Sequence, residues 1–532
     1  MTASPGPTNG SGRLTGWLPG PIDLVCLGLG AWLLAQHRLF TLDTWWHLSL
    51  GVETLERGAI PTRDTLSWTA AGAPLASHAW GFDLLLGLLQ RVGGLGLVEV
   101  SGALAVALIL RLVAHAARAL GASGAAALLA PPALFFSAPE YLNLRPHLAS
   151  YAGLAWFLTA YAALRAGRAG PLRWTPLAMV AWSNLHGGFV LGLLFLFGLA
   201  GLDRLLARRA ADAAGREAAE ARSRALVRAF LLCAVAACLH PHGPGQFLDA
   251  LANTPLSHPL NATVDEWQPP HLLRVPALRW WILASLALLM VHPGRPPAFE
   301  ALGVLGGVAV ALGAWRNVPL LGVAVGPILC AWLTRAAEFP GGGFAAALRE
   351  GAALPAALRR AGALLGAGGL GGGLVLLGLA GLLRGGLELA RPTDVERTPW
   401  VRSVFPVEAA RWVRAQGLKG EMLNSYAMGG YLGWALRGQH RVAIDSRMVP
   451  FHGFYQGIYA QLWTGDPTWR QALRASGAEL IVLERRGGGA SPLPLLRQEP
   501  AWKAVYADDV AVVLVRAEGP NGHLPALPPG SW

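Results

Sequence analysis

Asp43 and His47 stand four residues apart in the stretch DTWWHL, shortly after the first long apolar segment. A helix through this stretch would place both side chains on one face. A carboxylate in such a position can act as a general base, or it can share a divalent cation with the imidazole. Aspartate is also a preferred N-cap of helices. Asp43 is therefore the candidate catalytic residue, and a capping role stays open beside the chemical ones.

Further polar side chains fall in short segments between the apolar ones. Arginine and histidine there suit an anionic head group. The four histidines from His147 to His242 would also supply metal ligands, although their spacing matches no zinc motif. For any one residue alone, a structural role at the membrane surface is the competing interpretation. The candidate substrate-binding residues are His47, Arg63, His78, Arg145, His147, Asn184, His186, His240, His242, Glu266, Arg316 and Asn317.

Two more candidates, Asp445 and Arg447, lie in the stretch IDSR near the carboxyl end of the chain. They follow a predicted strand, and sites of α/β domains tend to lie at strand ends. A local ion pair between them is the slightly favoured alternative. The nearby pair Gly429 and Gly430 is interpreted in the same way, as a tight structural turn.

The composition indicates an integral membrane protein. Apolar residues make up 53% of the chain and charged residues 14%, against about a quarter charged in soluble domains. The formal net charge is +12, but lysine occurs only at Lys419 and Lys503 and the arginines stand between apolar segments. Basic loops of a membrane protein explain this charge better than nucleic-acid binding does. We therefore expect no nucleic-acid partner.

The candidate residues must be positioned by the apolar segments, which have the length that a bilayer requires. The predicted fold is a mainly α polytopic membrane protein with about eleven transmembrane helices and a C-terminal soluble α/β domain. The predicted spans are 20–37, 94–113, 122–138, 149–164, 172–185, 187–204, 225–241, 277–292, 298–314, 318–334 and 362–384.

Arginines predict the orientation of these spans, because positive loops stay in the cytoplasm. The Arg-rich segment 205–224 is then cytoplasmic, and the candidate residues lie outside. This requires that residues 79–92 form an amphipathic helix on the outer surface, with Asp83 in solvent. The predicted organisation is a cytoplasmic tail (1–19), a membrane domain (20–384) with large outer loops (38–93 and 242–276), a soluble outer α/β domain (385–520) and a disordered tail (521–532).

In the outer domain, apolar runs between helical patterns predict the strands. They are EMLNSY, RVAID, AELIVLE and a final pair within residues 503–517, with helices at GGYLGWAL and 467–475. Strands that alternate with helices are typical of a small α/β domain.

These features together resemble the C-type (GT-C) superfamily of membrane glycosyltransferases. The resemblance rests on DTWWHL after the first span, the two predicted surface helices of residues 44–93 and the α/β region after 385. The stretches RPHL, NLHGG, EWQPP and GGYLGW with IDSR further resemble an uncharacterised bacterial branch of that superfamily.

The resemblance implies an inverting glycosyltransferase with a polyprenyl-phosphate sugar donor and a glycan, lipid or protein acceptor. Asp43 would be the general base and Glu266 would orient the acceptor or a metal. The residues that would hold the donor phosphate are Arg145, His147, His240, His242 and Arg316. Thr44 follows Asp43 where a second acid is expected, so a divalent cation is possible but is not assigned.

Two other functions compete with this one. A transporter or flippase for lipid-linked glycans would show internal repeats and helices broken at mid-membrane. A non-catalytic envelope assembly protein would tolerate Asp43→Ala but not changes in the outer domain. The preference for arginine over lysine and the many alanines and glycines suggest a GC-rich bacterial genome. We therefore expect the bacterial inner membrane, with a cytoplasmic N-terminus and a periplasmic C-terminal domain.

Overall fold

The computed structural model describes residues 20–75, 78–252, 265–339, 369–389, 394–486, 491–528 and 530–532. Up to residue 389 its α-helices are α1 (Pro21–Gln36), α2 (Leu42–Arg57), α3 (Trp80–Ala119), α4 (Gly124–Ala127), α5 (Ala130–Ser137), α6 (Leu148–Arg165), α7 (Thr175–Leu185), α8 (Val190–Arg208), α9 (Ala213–Ala237), α10 (Gln246–Ala252), α11 (Pro276–Met290), α12 (Ala298–Gly313), α13 (Gly326–Glu338) and α14 (Gly369–Leu389).

The C-terminal region contains α15 (Pro399–Val404), α16 (Val407–Gln416), α17 (Tyr426–Ala435), α18 (His452–Phe454), α19 (Ala460–Thr464), α20 (Trp469–Ala475) and α21 (Leu493–Leu496). Its strands are β1 (Met422–Asn424), β2 (Leu480–Glu484), β3 (Trp502–Ala507) and β4 (Ala511–Arg516). Turns of 3₁₀ helix include Pro139–Tyr141, Gly187–Phe189, Asp265–Trp267 and Trp315–Asn317.

Helices lie at the predicted spans, within the described residues. Three helical stretches are long and apolar enough to cross a membrane: Trp80–Ala119, Gly187–Arg208 and Trp315–Glu338. The other apolar helices are shorter, as where span 122–138 divides into α4 and α5 ahead of a pair of prolines. The chain is thus a membrane protein, and the number of eleven spans stays a prediction.

Residues 80–92 are helical, as predicted, and form the first part of α3. The helix is interrupted at Gly93 and Gly94, whose backbone angles are not helical. This first part crosses α2 very closely, since a Cβ atom added at Gly51 would lie 1.9 Å from the Asp83 carbonyl oxygen. Glycine therefore permits the contact that brings α2 and α3 together.

The C-terminal sheet has the strand order β1-β2-β4-β3, with β1 parallel to β2 and the other neighbours antiparallel. The prediction of a strand at RVAID is wrong. Only Val442 of this stretch pairs, in an isolated bridge with Ser67 in the loop between α2 and α3. The side chain of Asn424 instead accepts from the Ala443 N–H at 2.8 Å and donates to the Ile444 carbonyl at 2.8 Å. A side-chain amide thus satisfies backbone groups that a neighbouring strand would otherwise pair.

The tail predicted to be disordered, residues 521–532, is packed against the domain where it is described. Asn521 is buried and forms two hydrogen bonds with the backbone of Lys419, at 2.8 and 3.0 Å. The N–H of Leu527 donates to the Ala504 carbonyl at 2.8 Å. The Pro/Gly-rich composition did not reveal these tertiary contacts.

Gly429 and Gly430 lie inside α17 and make no turn, contrary to the prediction. A Cβ atom would lie 1.9 Å from the Ile444 carbonyl oxygen at the first position and 2.4 Å from the Leu42 carbonyl oxygen at the second. The two glycines therefore let α17 touch both the segment before Asp445 and the start of α2.

We expect Gly430→Ala to lower the unfolding temperature of the protein in detergent. Alanine favours a helix over glycine by about 1 kcal/mol, but its Cβ would meet backbone at 2.4 Å, an overpacking that costs about 1–3 kcal/mol. Gly433→Ala is the matched control in the same helix, because its Cβ would meet a Val442 methyl group at 3.6 Å. Equal unfolding temperatures for the two variants would contradict the close approach.

Candidate functional site

Asp43 lies in the first turn of α2 but does not cap it. The N-cap is Thr41, whose N–H donates to the Thr44 hydroxyl oxygen at 3.0 Å in a capping box. The capping interpretation of Asp43 is therefore wrong, and its carboxylate is directed elsewhere. The Thr44 hydroxyl also donates to the Leu144 carbonyl at 2.9 Å. This bond fixes the residue before Arg145 beside the start of α2.

Arg145 joins two carboxylates. Its Nη2 lies 2.5 Å from Oδ2 of Asp43, and its two terminal nitrogens lie 3.1 and 3.2 Å from the oxygens of Glu266. Arg316 lies 3.7 Å from Glu266 and 4.1 Å above the Trp267 ring. The side chains of the four charged residues are 16–25% exposed. Two acids and two arginines thus form a charge-balanced cluster that is shielded yet open to a ligand.

The C-terminal domain reaches this cluster through Ser446. The Trp46 indole N–H lies 3.1 Å from the Ser446 hydroxyl oxygen and 3.4 Å from Oδ1 of Asp43. The Tyr426 hydroxyl donates to the Ser446 carbonyl at 3.4 Å. Sequence reasoning missed Ser446, although it stands between Asp445 and Arg447, which were candidates.

The electrostatics keep Asp43 ionised at neutral pH. Burial raises the pKa of its carboxyl, but the positive charge of Arg145 and hydrogen bonds from Ser446 and Trp46 outweigh it and lower the pKa. Burial lowers the pKa of the Arg145 guanidinium, and Asp43 and Glu266 more than reverse this and raise it.

His147 lies against the cluster as a neutral group. Burial, helped by the nearby charge of Arg145, lowers its pKa to about 3. Its Nε2 donates to the Tyr141 carbonyl at 2.6 Å. His147 therefore orders the loop that carries Arg145, and it brings no positive charge for a phosphate at neutral pH.

His47 pairs with Asp83 and not with Asp43. Its Nδ1 lies 2.5 Å from Oδ1 of Asp83, both side chains are 3% exposed, and the imidazole stacks on Trp46. The expectation that Asp83 is solvated is wrong, because the close crossing of α2 and α3 buries it. His47 supports Trp46, which in turn contacts Asp43.

The remaining candidates near the helix ends have structural contacts. Asn184 accepts from the Trp80 indole and donates to the Leu239 carbonyl, both at 2.8 Å. Nδ1 of His186 lies 2.7 Å from the Ser150 hydroxyl. His78 lies beside Gly187, where an added Cβ would be 3.5 Å from its ring. These side chains join the helix ends around the cluster.

Four further candidates form their hydrogen bonds away from Asp43. His240 accepts from the His242 N–H at 3.1 Å, and His242 pairs with Asp249 at 3.0 Å. Arg63 is exposed and donates to the Gly72 carbonyl, and Asn317 donates to the Val310 carbonyl. None of these contacts brings them to the carboxylate.

The described residues do not fit a divalent cation. Among them no group of three histidine, cysteine or acidic side chains is arranged to hold a metal. Asp43 and Glu266 both face Arg145, whose guanidinium lies between them. The four histidines proposed as ligands are divided between separate hydrogen-bonded groups.

Asp445 and Arg447 form a buried clamp with Asp64, which lies in the loop between α2 and α3. Arg447 lies 2.7 Å from Asp445 and 2.5 Å from Asp64, and the three side chains are at most 4% exposed. The local ion pair favoured from the sequence is present, and Asp64 extends it across the chain. Arg447 is therefore closed to a substrate and joins the C-terminal domain to the loop between α2 and α3.

Comparison with solved structures shows the class of fold. The chain is similar to the archaeal oligosaccharyltransferase AglB from Archaeoglobus fulgidus, solved in complex with an inhibitory peptide and a dolichol-phosphate. The TM-score is 0.53 at 12% sequence identity, over 87% of this chain and 69% of that one. The likeness supports the GT-C-like fold expected from the sequence, and at this identity it shows the fold alone. The bacterial branch stays a prediction.

Comparisons at the level of sequence give no match. No model of a known protein family matches the chain, and no curated protein sequence matches it. The shared fold therefore says nothing by itself about this chain's substrate, because function resides in the site.

We expect Arg447→Ala to destabilise the protein by about 3–5 kcal/mol, because it leaves two buried carboxylates without their partner. Arg437→Ala is the control: Arg437 also joins the C-terminal region to α2, through Glu56, but this pair is 34% and 59% exposed, and such surface pairs contribute about 1 kcal/mol or less. Denaturant unfolding of the purified protein measures both. Equal losses would mean that the buried clamp carries no special stability.

Proposed function

We propose that the chain is a membrane glycosyltransferase that moves a sugar from a polyprenyl-phosphate donor to a hydroxyl acceptor at the outer face of the membrane. The observation that carries this proposal is the ionised carboxylate of Asp43, held 2.5 Å from a guanidinium that is still partly exposed. The GT-C-like fold supports it.

The two arginines supply the donor-binding chemistry. Guanidinium groups match phosphate oxygens in geometry and charge. Arg145 and Arg316 both lie close to Oε1 of Glu266, at 3.2 and 3.7 Å, so a phosphate entering here would meet both. The same donors would stabilise the negative charge that develops on the leaving phosphate.

The group transfer needs one proton acceptor. The acceptor oxygen forms a bond to the anomeric carbon, and the bond from that carbon to the phosphate oxygen breaks. The electron pair of the broken bond leaves on the lipid phosphate, and the hydroxyl proton goes to Asp43. Attack from the face opposite the phosphate inverts the anomeric centre.

Donor binding would also improve Asp43 as a base. In the resting cluster Arg145 holds the pKa of Asp43 low, and such a carboxylate is a weak base at neutral pH. A phosphate competes for Arg145 and adds negative charge beside the carboxylate. Both effects raise the pKa of Asp43 once the donor is bound.

We expect Asp43→Asn to lower transfer of label from polyprenyl-phosphate sugars about 10²–10⁴-fold, the usual contribution of a general base. The assay uses membranes with equal amounts of each protein. Asp23→Asn is the matched control, since Asp23 pairs with Arg111 away from the cluster, and it should transfer at the wild-type rate.

Other results would redirect the proposal. Activity retained in Asp43→Asn would leave an enzyme whose base is another residue. A wild-type protein inactive with every donor tested would favour the transporter or the assembly protein. An assembly protein would also tolerate Asp43→Ala while Arg447→Ala abolishes its role.

The pH dependence gives an independent check. A carboxylate with a lowered pKa stays ionised until the pH falls below that pKa, so activity is kept above it and lost below. The acidic limb of kcat/KM reports the free enzyme and that of kcat the donor complex. We expect the acidic limb of kcat to lie at higher pH than that of kcat/KM, because the bound phosphate draws Arg145 from Asp43 and so raises the pKa of Asp43. Acidic limbs of kcat and kcat/KM at the same pH would contradict the idea that the phosphate replaces Asp43 as the partner of Arg145.

A further inference from the structure

We propose that Ser446 of the C-terminal domain is a positioning residue that orients the carboxylate of Asp43, so that the catalytic site is complete only with that domain docked. This inference rests on the proposed function. It adds a residue from a different part of the chain to the site on α2.

Hydrogen-bond donors and acceptors fix the direction of this contact. The indole nitrogen of Trp46 can only donate, and it lies 3.1 Å from the Ser446 hydroxyl oxygen. The single hydroxyl proton of Ser446 is therefore free to be given to Asp43, which is ionised and can only accept. Trp46 itself approaches Asp43 at 3.4 Å. The three side chains form a closed network between α2 and the C-terminal domain.

The surroundings of Ser446 leave its backbone little freedom. Its two neighbours in sequence, Asp445 and Arg447, belong to the buried clamp with Asp64. The next residue, Met448, has a φ of 52°, which non-glycine residues adopt only where the surrounding structure imposes it. The clamp thus holds the Ser446 hydroxyl at a fixed place opposite Asp43.

This contact is most important after the donor binds. The phosphate competes for Arg145, which holds the other side of the carboxylate. Ser446 and Trp46 then remain to hold Asp43 toward the acceptor. Loss of the Ser446 hydroxyl should consequently lower kcat and leave KM nearly unchanged.

The charged and titratable groups around Asp43 all have to be considered in a pH experiment. They come from α2, α6 and the loop before it, the 3₁₀ turns Asp265–Trp267 and Trp315–Asn317, and the C-terminal domain. They are His47, Arg145, His147, Tyr151, Glu266, Arg316 and Tyr426. Ser446→Ala leaves all of them in place. A hydrogen bond to the charged form stabilises it, so its removal should raise the pH at which Asp43 protonates.

The experiment compares wild type, Ser446→Ala, Ser446→Thr and Ser403→Ala. Ser403 is an exposed serine whose hydroxyl donates to the Trp400 carbonyl. We expect Ser446→Ala to lower kcat about 10- to 100-fold, as for a lost hydrogen bond to a charged group, and to move the acidic limb to higher pH. The threonine keeps the hydroxyl and should restore both, and Ser403→Ala should match wild type.

A second readout does not depend on activity. The infrared band of the Asp43 carboxylate, isolated as the difference from Asp43→Asn, reports its titration midpoint in the folded protein. We expect a higher midpoint in Ser446→Ala and the wild-type midpoint in Ser446→Thr. An unmoved midpoint together with an unchanged kcat would overturn the role of Ser446. An inactive wild-type protein would contradict the proposed function. The titration midpoint of Asp43 would still show whether Ser446 donates a hydrogen bond to it.

Discussion

The guanidinium of Arg145 is the group on which the site depends, because it binds carboxylates from two distant segments at once. Charged groups are costly to remove from water unless they are paired. The start of α2, the loop before α6 and the Asp265–Trp267 turn must therefore come together, since Asp43, Arg145 and Glu266 compensate one another. The Thr44 bond to the Leu144 carbonyl gives this arrangement its backbone support.

A second arginine forms a similar cluster with a different consequence. Arg447 also pairs with two acids, its near neighbour Asp445 and the distant Asp64, but its side chain is 4% exposed against 19% for Arg145. A closed ion pair can only hold parts of the chain together, whereas a partly open one can exchange a carboxylate for an incoming phosphate. Ser446 lies between these two clusters and connects the buried one to the partly exposed one.

The histidines that suggested a cationic cavity contribute in another way. Burial lowers the pKa of His147 to about 3 and that of His240 to about 4, so both are neutral near pH 7. Positive charge for the proposed phosphate would come from arginine, whose guanidinium stays protonated at any physiological pH. The positive charge available to an anion at this site would thus not change near pH 7, and the pH dependence would belong to Asp43.

The sequence by itself determined the apolar helices, the strands β1 to β4 and the residue types of the site. Hydrophobic periodicity is a property of residues close together in the chain, and charge near a bilayer is costly wherever it occurs, so both can be recognised without the tertiary structure. The sequence did not determine which side chains contact one another. Ser446 contacts Trp46 across 400 positions and Arg447 contacts Asp64 across 383, and Asn424 satisfies the segment that was expected to be a strand. Such contacts arise only when packing brings distant segments together. Burial then requires each charged group to be paired, and the glycines allow the helices to approach closely enough for these pairs to form.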